Sequence, residues 1–139
     1  MPIVSSPVEI GGRLYLDGGL SDGIPLGHFE SLGYERNVVI TTRPRGYRKF
    51  PAFKIAMLRP LLLRYPAVYR ALKTRHVWYN RALEYIDSRV AAGRAFLIAP
   101  EAPLDISRVC HDPVRMQKVY DEGRRMAEKC FSALVQFRH

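Results

Sequence analysis

Residues 8–42 read VEIGGRLYLDGGLSDGIPLGHFESLGYERNVVITT, and the order of elements inside this stretch decides the fold class. Gly11-Gly12 between two short alternating runs is a two-residue turn signal, so residues 8–16 are predicted to form a tight hairpin whose second strand delivers Asp17 at its carboxyl end. Pro25 suits the first turn of a helix and Gly33 the position just past its end, so PLGHFESL is predicted as a short helix. NVVITT, residues 37–42, is rich in β-branched side chains and reads as a buried strand. Strand, helix and strand in this order predict an α/β fold, with Asp17 on the edge of the sheet where such folds bind ligands.

The remaining elements extend the same alternation. Pro60 and Pro66 cut residues 54–75, which predicts two short helices with a bend. Residues 76–92 form a better helix, with Tyr79, Leu83, Ile86 and Val90 recurring at helical spacing and Gly93 ending it. Residues 95–99 read as a short apolar strand. Asp112-Pro113 supplies an N-cap and a first helical residue for a long C-terminal helix, with Val119, Gly123, Met126, Cys130 and Leu134 along one face. About four strands are few for a free-standing doubly wound sheet.

At 139 residues the chain fits one domain, 1–139, with room for a real core, and 47% hydrophobic with 25% charged residues is the balance of an ordered globular protein. Cys110 and Cys130 lie twenty positions apart without C-x-x-C spacing, so neither a zinc knuckle nor a disulfide framework is expected and a reducing, cytoplasmic setting fits. The N-terminal residues lack a basic run and a long apolar core, which argues against a secretory signal. Arg59, Pro60, Arg64, Pro66 and Arg70 interrupt the most apolar stretch, residues 55–72, so no spanning helix is expected. His28, His76, His111 and His139 fall in no metal-binding spacing, and neither metal nor cofactor is predicted. His28 reads as a surface or capping residue and the two cysteines as small core residues.

Two catalytic signals compete in RLYLDGGLSDG, residues 13–23. Gly19 to Gly23 spell G-x-S-x-G, the nucleophile elbow of serine hydrolases, but an elbow needs a strand directly before the serine and a helix directly after it. Ser21 has neither, since four residues separate it from the predicted strand end and Ile24-Pro25 favours extended backbone. Asp17 is the other signal. A carboxylate at a strand end followed by Gly18 and Gly19 allows a reactive group to approach closely, although an Asp that merely starts an Asx-turn before two glycines has the same spacing. Asp22 sits where the loop needs a turn hydrogen bond and is a secondary site residue.

The run YLDGGLSDGIPL resembles the Asp-Gly-Gly block of the bacterial patatin-like phospholipases, and the similarity continues through VVITTRPRGYRK, WYNRALEYI and PEAPLDISR to YDEGRRMA. It covers nearly the whole chain but only the second half of that family's domain. The resemblance implies the C-terminal portion of a three-layer α/β/α sheet, a hydrolase of lipid esters acting in lipid degradation, and a Ser–Asp dyad in which Asp17 is the general base, with Gly18, Gly19 and Asp22 as its supporting loop. It implies no histidine and no cofactor. The family's Gly-rich oxyanion loop and its G-x-S-x-G elbow precede the Asp-Gly-Gly block, and the sixteen residues before Asp17 cannot hold them. The nucleophile is therefore expected outside this chain, the chain alone is expected to be inactive, and an isolated half-domain is expected to self-associate through exposed sheet edges.

Charge is concentrated in one segment. The net charge is +9, yet residues 36–83 hold twelve Lys or Arg and no Asp or Glu, while the rest of the chain carries ten cations against thirteen acids. Within the segment the cations are mixed with Phe50, Phe53, Met57, Leu61, Leu62, Leu63, Tyr65, Tyr69 and Trp78. Basic side chains beside a broken apolar stretch suit an element lying on an anionic membrane surface, and equally a solvated basic face over a core stripe. No nucleic-acid motif accompanies the charge, and nucleic acid is not an expected partner. Arg43, Arg45, Arg48 and Lys49 form the densest cluster and are the predicted head-group or anion contacts. A non-enzymatic module binding anionic membranes or polyanions through residues 36–83 is the alternative to the hydrolase.

Overall fold

The computed structural model describes residues 7–107 and 109–138 and is a mixed α/β structure with small sheets and long helices. Gly11 and Gly12 take φ of 57° and 74°, the two positive values that a tight hairpin turn demands and that other residues resist. The turn joins β1 (Val8–Ile10) to antiparallel β2 (Arg13–Tyr15), pairing Val8 with Tyr15, Glu9 with Leu14 and Ile10 with Arg13. The predicted hairpin is present. β2 stops two residues before Asp17, however, and pairs only with β1, so Asp17 follows a hairpin rather than a strand of the parallel sheet. Every residue of both strands is exposed, and without a buried face nothing drives the pairing further along the chain.

The chain divides into two compact units. The first comprises residues up to Pro25 together with Arg48–Glu84. After the hairpin it contains a 3-10 turn at Gly18–Leu20, a second at Phe53–Leu58 and most of helix α2 (Pro66–Ala91). The bend expected at Pro66 is instead the start of α2, a single helix of 26 residues that runs through the boundary expected at His76. Pro66 at the first helical position loses no intrahelical hydrogen bond, because the N–H it lacks would have had no partner there. Pro60 lies in the turn that follows Phe53–Leu58, where Leu62 N–H bonds the carbonyl of Leu58 at 3.1 Å and Tyr65 N–H that of Leu62 at 2.9 Å. Leu62 and Leu72 are the buried side chains of this unit. Asn80 on α2 acts as a substitute strand, accepting from Lys49 N–H at 2.8 Å and donating to Lys49 carbonyl at 3.0 Å.

The second unit comprises Leu26–Tyr47 and the residues from Tyr85 onward, including the last turns of α2. It holds α1 (Leu26–Ser31), β3 (Asn37–Ile40), β4 (Ala95–Ile98) and α3 (Pro113–Arg138). β3 and β4 are parallel, with Val38 opposite Phe96, Val39 opposite Leu97 and Ile40 opposite Ile98. The four predicted strands are thus two sheets of two among the described residues, and α2 lies in the crossover that a parallel pair requires. α1 and α2 both stop as predicted, at Gly33 and Gly93. In each, the glycine N–H reaches back three residues and the next N–H five (Gly33 to Glu30 and Tyr34 to Phe29; Gly93 to Val90 and Arg94 to Arg89). Phe29 and Tyr34 supply the apolar contact of this motif, with ring centroids 6.0 Å apart. Asp112 caps α3 as predicted, its Oδ1 accepting from Val114 N–H at 2.9 Å.

The core of this unit consists of Leu26, Val39, Ile86, Ala95, Leu97, Ile98, Ala99 and Met126. β4 is close to continuously buried, and α3 packs on it through Met126, with Val119, Cys130 and Leu134 half-buried on the same face. Two details correct the sequence reading. Gly123 is exposed, and Cys110 and Cys130 are half-buried rather than enclosed. Glu30 is bound by Arg89 at 2.9 Å and by the hydroxyl of Tyr85, which ties α1 to the end of α2.

Ile86 is 1% exposed and the most completely buried large side chain described. Ile86→Ala is expected to lower unfolding stability by about 2–5 kcal/mol in urea titrations, whereas Phe131→Ala, at a position 63% exposed, is expected to stay within about 0.5 kcal/mol of the parent.

Candidate catalytic turn at Asp17

Asp17 has φ −51° and ψ 123°, and it caps the 3-10 turn Gly18–Leu20. Its Oδ1 accepts from Gly19 N–H at 2.8 Å, and Leu20 N–H returns to the Asp17 carbonyl at 3.0 Å. This is the Asx-turn that the spacing allowed. The turn is also anchored from outside: Arg75 of α2, within the same unit, donates from Nε to the Gly19 carbonyl at 2.7 Å. Gly19 suits this close approach: a Cβ there would lie 3.2 Å from Asp17 Oδ1, tight enough that the carboxylate would have to shift by a few tenths of an ångström, and 3.4 Å from Arg75 Nη2.

These contacts favour the ionised form of the carboxylate. The Gly19 N–H, pointing at the ionised form, holds the Asp17 carboxyl below its ordinary range, and the positive charge of Arg75 acts in the same direction. Asp17 is exposed and, at neutral pH, is an ionised proton acceptor on a turn braced at both residues that follow it. Asp22 closes the loop with a second Asx contact, its Oδ1 accepting from Ile24 N–H at 3.2 Å.

Ser21 occupies no elbow. Its hydroxyl turns back to the Gly18 carbonyl at 3.2 Å, β2 has already ended at Tyr15, and the next helix does not begin until Leu26. The G-x-S-x-G match is a property of the glycine-rich loop.

The four predicted anion contacts are divided between the units and each is engaged within its own. In the second unit, Arg43 lies 5.1 Å from the centre of the Tyr47 ring and Arg45 donates to the Leu97 carbonyl at 3.4 Å. In the first, Arg48 pairs with Glu84 at 2.6 Å and Lys49 lies 4.8 Å from the centre of the Tyr79 ring. His28 and His111 are exposed, His76 is half-buried, and His139 lies outside the described residues. No group of three His, Cys, Asp or Glu able to hold a metal is found among the described residues. No helix among the described residues is long and apolar enough to cross a membrane.

Sequence reasoning did not find Arg75, Tyr79 or Asn80 as supports of this unit. Arg75 is 56 positions from Gly19, and nothing local marks one arginine among the twelve cations of the basic segment as the one that reaches a carbonyl. A cleft of about 500 Å³ also opens in the second unit, lined by Glu101, Asp105, Arg115, Lys118, Glu122 and Arg125 among others, and none of the predicted site residues borders it.

Neither a curated protein nor a solved structure matches the chain. Residues 65–138, from the residue before α2 to the end of α3, match a family model described as a domain of unknown function, DUF6363. The hairpin and the Asp17 turn lie before the matched region. Because the match takes in more than half of the 139 residues, the chain belongs to the DUF6363 family.

Proposed function

We propose that this chain is the second half of a patatin-like serine acyl hydrolase acting on lipid esters, with Asp17 as the general base of a Ser–Asp dyad whose serine comes from outside these 139 residues. The observation that carries the reading is the state of Asp17. It is ionised, exposed, and mounted on a Gly-Gly turn that Arg75 ties to a 26-residue helix. The similarity of YLDGGLSDGIPL to the Asp-Gly-Gly block supports the same residue.

In the proposed chemistry the Asp17 carboxylate takes the proton of the serine hydroxyl as its oxygen attacks the ester carbonyl. It then gives that proton to the departing alkoxide, which leaves as the alcohol, so that an acyl-enzyme and an ionised Asp17 remain. Water then repeats the cycle and the fatty acid leaves. A base held below the ordinary carboxylate range is weak while it stands in water. Covering by the serine-bearing half and by the ester removes that water and raises its proton affinity at the moment it is needed. Gly18 and Gly19 keep side chains away from the approach, and Asp22 holds the far end of the loop.

Expressed with the in-frame coding sequence upstream of Met1, the wild-type protein is expected to hydrolyse p-nitrophenyl esters and phospholipid vesicles. Asp17→Asn is expected to lower kcat about 10²- to 10⁴-fold with unchanged circular dichroism. Turnover retained within tenfold removes Asp17 as the base, and an upstream frame that lacks G-x-S-x-G removes the hydrolase reading.

The carboxylate itself provides a separate check. Because its proton affinity is lowered in the folded chain, the Asp17 hydrogen bond stabilises the turn fully above the ordinary value of 3.8 and loses that effect as pH falls through the lower, folded value. The Asp17 carboxyl carbon, followed by NMR, is expected to titrate below 3.8, and a midpoint above that value contradicts the geometry.

A further inference from the structure

The first unit contains an apolar surface that its own fold does not use. Between residues 50 and 65 the inward positions are Ile55, Leu58 and Leu62, spaced three and four apart, with Leu62 buried at 6% and the other two half-buried. The outward positions are also apolar: Phe50 is 81% exposed, Phe53 90%, Met57 80%, and Leu61 and Leu63 70% each. Single exposed hydrophobic residues are ordinary on a protein surface, but five large ones within fourteen positions are not. Lys54, Arg59 and Arg64 alternate with them, all exposed, and no carboxylate pairs with these three among the described residues. The nearest acids in sequence are Glu35 and Glu84, and Glu84 is already held by Arg48.

We propose that residues 50–65 form a docking surface for an anionic lipid bilayer, with Phe50, Phe53, Met57, Leu61 and Leu63 entering the headgroup–acyl boundary and Lys54, Arg59 and Arg64 meeting lipid phosphates. Charge complementarity selects this occupant. A protein partner would have to set an acid against each of three cations while covering five apolar side chains among them, and a second copy of the same segment would set cation against cation. An anionic bilayer offers an apolar layer and negative charge together, at the depth where interfacial elements lie. The inner stripe fixes the segment to the unit, so docking does not cost Ile55, Leu58 or Leu62 their burial. This surface does not depend on Asp17, and it stands or falls separately from the hydrolase reading.

The test is co-sedimentation of the 139-residue chain with vesicles of phosphatidylcholine alone and of phosphatidylcholine with 30% phosphatidylglycerol. Strong binding to the anionic vesicles is expected at low salt, weakening steeply at high salt, with little binding to the neutral ones. Each cation at such a surface is worth about fivefold in partitioning, so Lys54→Gln, Arg59→Gln and Arg64→Gln together are expected to lower it about a hundredfold. Phe53→Ser with Met57→Ser should also reduce binding, and at positions this exposed neither change disturbs folding. Phe53→Trp in a Trp78→Phe background is expected to be quenched by brominated acyl chains. Absent quenching overturns the proposal. So does equal, salt-insensitive binding to neutral vesicles, a concentration-dependent dimer that Phe53→Ser and Met57→Ser abolish and vesicles do not displace, or binding to RNA without binding to anionic vesicles.

Discussion

Two parallel strands cannot be joined by a tight turn, and the pairing of β3 with β4 imposes that constraint on the chain. β3 ends at Ile40 and β4 begins at Ala95, so everything between them must serve as the crossover. α2 meets the requirement with 26 residues, Pro66–Ala91, and Gly93 stops it two positions before β4. Because the helix stops so close to the strand, Ile86 is carried into the same core as Leu97 and Ile98, and it becomes the most buried large side chain described. α3 then covers β4 through Met126, and Arg36 donates to the Phe137 carbonyl at 2.7 Å, satisfying one of the unpaired carbonyls at that helix end.

The Asp17 turn illustrates how one hydrogen bond serves both local structure and reactivity. Gly19 N–H makes Asp17 an N-cap, which is sufficient reason for an aspartate at that position. The same contact favours the ionised carboxylate, which a base needs before it can accept a proton. A structural Asx-turn and a catalytic aspartate therefore share their ground-state geometry. Arg75, 56 residues away, fixes the second glycine of this turn to α2 and so holds that geometry in place.

Local chemistry made much of the fold legible. Gly11-Gly12, the glycine stops at Gly33 and Gly93, and the Asp112-Pro113 start were all readable because each settles its own backbone within a few residues. The reading failed where a residue's meaning depended on what followed. Pro66 is compatible with either a break or a beginning, and the proline alone does not say which of the two it makes. The strands showed the same limit, since a run of β-branched residues marks a strand without saying which strand it joins. The hairpin therefore appeared in the sequence as part of one sheet, although it forms its own. In the site, Asp17, Gly18, Gly19 and Asp22 were legible as a turn, while Arg75 was not, because long-range partners leave no spacing signal.

Exposed apolar surface occurs in both units, and its charge context separates the two cases. In the second unit Val38 and Ile40 on β3 are 44% and 74% exposed, on a parallel sheet of a kind that ordinarily has both faces covered by protein. The sheet has only two strands among the described residues, so unpaired backbone edges accompany the open face. Residues 50–65 have no sheet edge to complete, and their apolar groups alternate with cations instead of adjoining unpaired backbone. Additional strands or helices suit the first surface and anionic lipid the second.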